Sequence, residues 1–264
     1  MAGTSASLHM HSRPEPSPAR LWLDRSRSVL GGRGRDPSFQ LLVAVVLVML
    51  GAAVGFAHVS EDYLTGDPIV RWDVEFAAWL HAHALGPVID VFKVVTLAGN
   101  VAVLAAVALA AVAYLLRRGT VNELILVCAV AVGIEVLNAS LKLAFHRPRP
   151  RLAYTHLDTY SFPSGHAAGA VAIYGVLAFL IARRGGPRRW IACGALFVAI
   201  AVVIGFSRLY LEAHYLSDVL AGSALGLLWL SACLLVFLLA RGRSGLALFP
   251  PRARPYVIRI SGGR

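Results

Sequence analysis

Three short stretches of the chain hold residue types suited to handling a phosphate group. The first is LKLAFHRPRPRLAY, residues 141–154, with Lys142, His146, Arg147, Arg149 and Arg151 and no carboxylate. Pro148 and Pro150 fix their own φ and push Arg147 and Arg149 toward extended backbone. Arginine offers paired planar donors to phosphate oxygens, and lysine a point charge. On its own this stretch serves equally well as a patch for anionic headgroups. The second is YSFPSGHAAGAVAIYGV, residues 160–176, in which Pro163, Ser164, Gly165 and His166 directly precede an apolar helix. A small-residue turn there presents free backbone N–H groups and the positive end of a helix dipole, an anion site. Ser164 can cap that helix and donate to a phosphate. His166 is a general-acid candidate. The third is GFSRLYLEAHYLSDVLAG, residues 205–222, with Ser207, Arg208, His214 and Asp218. If a helix already begins at His214, the four-residue spacing puts His214 and Asp218 on one face. The carboxylate then holds one imidazole tautomer, which makes an efficient nucleophile. Cations, an acid and an oriented histidine are the parts of phosphoryl transfer through a phosphohistidine. No metal is required, because Lys and Arg can neutralise the phosphate charge.

The elements that must position these residues are apolar. The chain has 264 residues, 58% of them hydrophobic, and a mean hydropathy of +0.68. Six runs are long enough to span a bilayer: Phe39–Val59, Thr96–Leu116, Leu124–Leu141, Gly165–Ala182, Trp190–Phe206 and Val219–Ala240. They are apolar all round, unlike the amphipathic helices of a soluble core. The expected fold class is therefore all-α, a polytopic six-transmembrane-helix bundle over residues 39–240. Residues 1–38, rich in Ser, Pro, Gly and Arg, read as a disordered cytoplasmic tail without the apolar core of a signal peptide. Residues 241–264 read as a second basic tail. The net charge of +11 raises nucleic acid as a partner, but its distribution argues for topology instead. With both termini in the cytoplasm, 18 of the 25 Lys and Arg lie inside, and seven lie outside beside nine carboxylates. All three chemical stretches then fall on the outer face. Cys128, Cys193 and Cys233 lie within spans and read as packing residues. Val70–Leu85 suits a helix lying at the membrane interface, broken at Gly86–Pro87. His81 and His83, two residues apart, fall on different faces of it and do not suit a shared metal.

The residues of the three stretches, in this order and spacing, resemble the type 2 phosphatidic acid phosphatases, PAP2. That family's pattern is Lys, six residues, Arg-Pro; then Pro-Ser-Gly-His; then Ser-Arg, five residues, His, three residues, Asp. Here these are Lys142 with Arg149–Pro150, Pro163–His166, and Ser207–Arg208 with His214 and Asp218. The resemblance covers about residues 60–240, including the six-span layout. It implies that His214 is the nucleophile, Asp218 its orienting partner and His166 the acid for the leaving group. It implies Lys142, Arg149 and Arg208 as phosphate ligands, assisted by Ser164 and the Gly165 N–H. Arg147–Pro148 is a second Arg-Pro pair two residues early, and Arg147 is kept as a secondary candidate. The implied substrates are lipid phosphates or diphosphates of the phosphatidic acid, phosphatidylglycerophosphate or undecaprenyl diphosphate class. A site at the bilayer surface suits them, since the tail can stay in the membrane while the headgroup meets the cations.

Two other functions are compatible with the same residues: a lipid phosphotransferase using the same phosphohistidine, and a non-catalytic lipid-phosphate binding or transport protein. Binding alone needs neither acid nor nucleophile. Glu135, Asn138 and Lys142 share one face of the third span, so Glu135 is expected to have a structural role such as orienting Lys142, with direct proton transfer as the second reading. His146, Tyr154, His156 and Asp158 either shape headgroup choice or are solvated loop residues. High Arg and Ala with almost no Lys point to a GC-rich bacterial genome, so the expected location is the plasma membrane of a bacterium.

Overall fold

The computed structural model describes residues 37–66, 68–150, 153–154 and 159–243. The tails lie outside the described residues, as do Arg151 of the first chemical stretch and His156 and Asp158 just beyond it. The chain divides into two compact units, residues 1–43 and 44–264. The described part of the first is residues 37–43, the opening turns of a helix. Every element among the described residues is helical. In chain order they are α1 Pro37–Thr65, α2 Pro68–His83, α3 Gly86–Val95, a 3₁₀ turn Thr96–Gly99, α4 Val101–Arg118, α5 Val121–Phe145, α6 Gly165–Ala182, α7 Pro187–Tyr210 and α8 Leu216–Arg243. Six of them, α1 and α4 to α8, are long and apolar enough to cross a membrane. The protein is an all-α multi-pass membrane bundle.

The apolar runs set the helices, and local chemistry sets their ends. The second run was expected to begin at Thr96, but α4 begins at Val101. The reason is Asn100, whose side chain accepts the Ala102 N–H at 2.8 Å and caps the helix there. At its other end Gly119, at φ +65°, takes the left-handed conformation that a glycine adopts without strain. Gly86–Pro87 does interrupt the interfacial segment, yet it also opens a new helix. Proline in a first turn loses no hydrogen bond the helix needs, and α2 and α3 meet at a bend of 119°.

α6 is the centre of the bundle. Of its apolar window 67% is buried, against 11–39% in the other five spans. Small residues make that possible. Gly222 and Gly226 of α8 lie against the backbone of Ser164 and Ala168, where a Cβ would collide with carbonyl oxygens. The turn leading into α6 is pinned by Phe162, fully buried, with ring centroids 5.4 Å from Tyr63 of α1 and 4.7 Å from Phe145 of α5. Removing such a ring costs about 3–5 kcal/mol in a packed core. The Phe162–Pro163 peptide is cis. α2 packs on the bundle through Asp73, Phe76 and Leu80, spaced i, i+3, i+7. Trp72, Val74 and Trp79 stay exposed.

Candidate active site

Three helix ends and one loop meet at one end of α6. α5 stops because His146 turns left-handed at φ 50°, and the Arg-Pro-Arg-Pro run cannot continue a helix. That leaves Lys142 in the last turn of α5. Its ammonium donates to the Tyr160 carbonyl. Arg149 folds back over the site: its Nε donates to Thr159 O at 2.7 Å, its Nη2 to Thr159 Oγ1 at 2.9 Å, and its Nη1 to Ala213 O at 2.6 Å. The same Nη1 is 3.2 Å from His214 Nε2.

His214 sits in the loop just before α8, which begins at Leu216 rather than at His214. The pair still meets, because Asp218 acts as a hub for the loop. Its Oδ2 accepts the Tyr215 N–H at 2.9 Å and lies 3.4 Å from His214 Nδ1. Its Oδ1 accepts Arg147 Nη1 at 2.7 Å. The Ser164 N–H donates to the Asp218 carbonyl at 2.9 Å, which ties the α6 entrance to α8. Ser164 occupies the N-cap position of α6 but makes no capping bond. Among the described residues its hydroxyl is buried and has no hydrogen-bond partner, and the same holds for Nε and Nη2 of Arg208. Arg208 is 2% exposed and spends one donor on Thr96 Oγ1 at 2.8 Å. Buried donors without partners are costly in isolation. An anion held here would satisfy them.

A cavity of about 240 Å³ is lined by Lys142, Arg149, Gly165, His166, His214, Glu135 and Asn138, while Ser164 and Arg208 are not among its lining residues. A Cβ on Gly165 would come within 2.8 Å of Asn138 Nδ2, so that position has no room for a side chain. The backbone at Gly99 lies against the His166 ring. Glu135 lines the cavity, but Lys142 donates to the Tyr160 carbonyl rather than to Glu135. Burial first, and then Arg208, Arg149 and Lys142, push the His214 imidazole well below its ordinary pKa. It is therefore neutral, with a lone pair available, at neutral pH.

Arg147 has a different environment from Arg149. It is 4% exposed and lies between the rings of Tyr63, at 4.7 Å, and Tyr215, at 4.4 Å. It bridges Asp218 to Asp73, its Nη2 donating to Asp73 Oδ2 at 2.8 Å. Asp73 also accepts the Ser217 N–H at 2.9 Å and the Ser217 hydroxyl. The two carboxylates outweigh burial and hold the Arg147 pKa above its ordinary value. Sequence reasoning missed Asp73, Ser217 and Thr96. Asp73 carried one signal: it shares a helix face with Phe76 and Leu80, so it was a carboxylate on a packing face. A second tether joins α2 to the loop, His81 Nδ1 to Glu212 Oε1 at 2.7 Å, while His83 bonds Trp79 O at 2.8 Å.

The profile of the PAP2 superfamily matches residues 121–241. Phosphatidylglycerophosphatase B of Bacillus subtilis (strain 168) is 38% identical over 101 residues, 36% of this chain and 48% of that protein. Undecaprenyl-diphosphatase BcrC of the same organism is 34% identical over 91 residues, 32% of this chain and 42% of the relative. A lipid A 1-phosphatase of Rhizobium etli is 39% identical over 71 residues, 27% of each chain. The chain thus spans about half or less of the length of these relatives. The crystal structure of a transmembrane PAP2 type phosphatidylglycerolphosphate phosphatase from Bacillus subtilis superposes with a TM-score of 0.62 at 25% identity, covering 78% of this chain and 98% of the other. All three chemical stretches lie inside residues 121–241, the part of the chain that matches the PAP2 superfamily, and the fold is similar to that of a transmembrane PAP2 type phosphatase.

Proposed function

We propose that the protein is an integral membrane phosphatase that hydrolyses a lipid monophosphate or diphosphate through a phosphohistidine on His214. The observation that carries this reading is the contact set of one imidazole. His214 Nδ1 faces Asp218, and its Nε2 faces Arg149, in a cavity that Lys142 and His166 also line. In the first step Nε2 attacks phosphorus and the ester or anhydride oxygen leaves, taking a proton from His166. In the second, His166 takes a proton from water, whose oxygen attacks phosphorus and breaks the P–N bond. Lys142, Arg149 and Arg208, with the Ser164 hydroxyl and the Gly165 N–H, neutralise the charge that builds on the equatorial oxygens. These cations do the work a metal does in other phosphatases. The matched relatives are named for three different lipid phosphates, which supports the lipid class over a soluble ester. Arg and Lys crowded at the far end and in the tails support a site on the outer face of a bacterial plasma membrane.

Asp73 and Arg147 are positioning residues in this reading. Arg147 alone would neutralise Asp218 and weaken its hold on a histidine that becomes cationic when phosphorylated. Asp73 shares the Arg147 charge, so the trio keeps one net negative charge facing His214.

The test is phosphate release by purified protein with chelator present. Phosphatidic acid, phosphatidylglycerophosphate and undecaprenyl diphosphate are compared on wild type and His214→Ala. Release from at least one lipid that vanishes in the variant is expected. Equal release by both proteins removes His214 from the mechanism.

A further inference from the structure

A second charged cluster lies at the end of the bundle opposite the catalytic cavity. Glu123, in the first turn of α5 and 4% exposed, accepts from Arg183 and, at 2.9 Å, from Arg184. Arg241 Nη1 lies 3.9 Å from the same carboxylate. Among the described residues Arg183 and Arg184 share this one carboxylate, an excess of one positive charge before Arg241 is considered. Arg183 is 6% exposed, and its Nε and Nη1 have no hydrogen-bond partner among the described residues. Its guanidinium and that of Arg241 both sit over the Phe237 ring, at 5.5 and 5.6 Å. A buried guanidinium with unsatisfied donors is costly until an anion joins it.

Phe237 and Arg241 also line an apolar groove of about 410 Å³ between α5 and α8. The groove ends inside the bundle at Trp229, whose ring lies against Gly133 and whose Nε1 donates to Ala129 O at 3.1 Å. From Trp229 to Arg241 the helix rises roughly 18 Å at 1.5 Å per residue. One leaflet contributes about 15 Å of hydrocarbon. The groove is therefore as long as one leaflet is deep, apolar along its length and cationic at the end where headgroups lie.

We propose that this groove binds an anionic phospholipid of the leaflet at that end, with one acyl chain along α5 and α8 and its phosphate at the arginine cluster. The chain's own C-terminal residues 244–264 are a poor occupant. They carry four arginines and no carboxylate, so they add charge of the sign already in excess. A zwitterionic lipid brings no net charge to offset the surplus.

The test uses the full chain in nanodiscs with a trace of phosphatidylglycerol carrying a diazirine midway along one acyl chain. The matching phosphatidylcholine probe is the control, and labelled peptides are mapped by mass spectrometry. Labelling of residues 229–237 is expected to be several-fold stronger with phosphatidylglycerol. It should fall to the phosphatidylcholine level in Arg184→Gln/Arg241→Gln. Peptide mapping separates this site from lipid bound at the catalytic end. Equal labelling of the wild type by the two probes overturns the proposal even if the variant fails to fold. Labelling that rises when residues 244–264 are removed makes the tail the occupant. A crosslink between two copies through this groove makes it an interface. Either result also overturns the proposal.

Discussion

In the proposed mechanism His214 works only as a neutral nucleophile, and its surroundings hold the imidazole in that form. Burial and three cations depress its pKa, with a consequence for stability whose sign is fixed. Above the ordinary imidazole pKa of about 6.5, His214 is neutral whether the chain is folded or not. Below it, the unfolded chain takes up a proton that the folded site resists, so stability falls as pH drops through that value. The thermal midpoint in detergent should decline between pH 7 and pH 5, and the decline should be shallower in His214→Gln. An unchanged slope would mean that this imidazole is not held neutral. The two arginines of the Arg-Pro-Arg-Pro run separate by readout. Arg149→Lys should lower kcat/KM about 10–100-fold, as loss of a charged hydrogen bond in the transition state does, with the thermal midpoint intact. Arg147→Lys should lower both, because Nη1 of Arg147 donates to Ser217 Oγ at 2.6 Å and to Asp218 while Nη2 donates to Asp73, and a single ammonium nitrogen does not reproduce that fork. Matching thermal losses in the two variants would contradict this division. Spacing alone ranked Arg149 ahead of Arg147 as a phosphate ligand. It gave no sign of what Arg147 touches, since Asp73 is 74 residues away in sequence.

At the scale of elements, α2 matters beyond its length. Its packing face carries Asp73 into contact with the start of α8, 144 residues further along. Asp73→Asn should keep the fold and the bond from the Ser217 N–H while lowering kcat about tenfold, through a weaker hold on cationic His214. Asp73→Glu should recover part of that loss. A wild-type kcat in Asp73→Asn, measured at saturating substrate, would reduce Asp73 to a strut. The sequence pattern located α2 and the break at its end, because an amphipathic stretch and a Gly-Pro pair are local signals. It missed the helix opened by that same pair. It also set the His214–Asp218 contact on a helix that starts two residues later. Asp218 makes the contact anyway by holding the Tyr215 N–H, a capping arrangement that four-residue spacing does not reveal. Ser164 is the converse case: a residue of capping type, at the capping position, whose hydroxyl is left for something else.

For the whole molecule, the six spans were legible because apolar length is a strong and local signal, whereas the burial of α6 depended on glycines in α8 whose partners lie over 50 residues away. The charge distribution predicts that the catalytic end faces outward. A cysteine placed at exposed Leu85, in the described loop beside the site, should react with a membrane-impermeant thiol reagent in intact cells, and one at Arg118 should not. The opposite pattern would invert the topology. The whole account turns on one covalent bond. The decisive measurement is rapid mixing of the purified protein with lipid labelled at the phosphate, followed by alkaline quench and mass spectrometry of the peptide holding residue 214. The account predicts an acid-labile phosphoryl group on His214 that forms within a turnover, is absent in His214→Ala, and forms more slowly in His166→Ala, where the leaving group lacks its acid. Turnover with no phosphoryl group on His214, under conditions where the lipid is being cleaved, would contradict it.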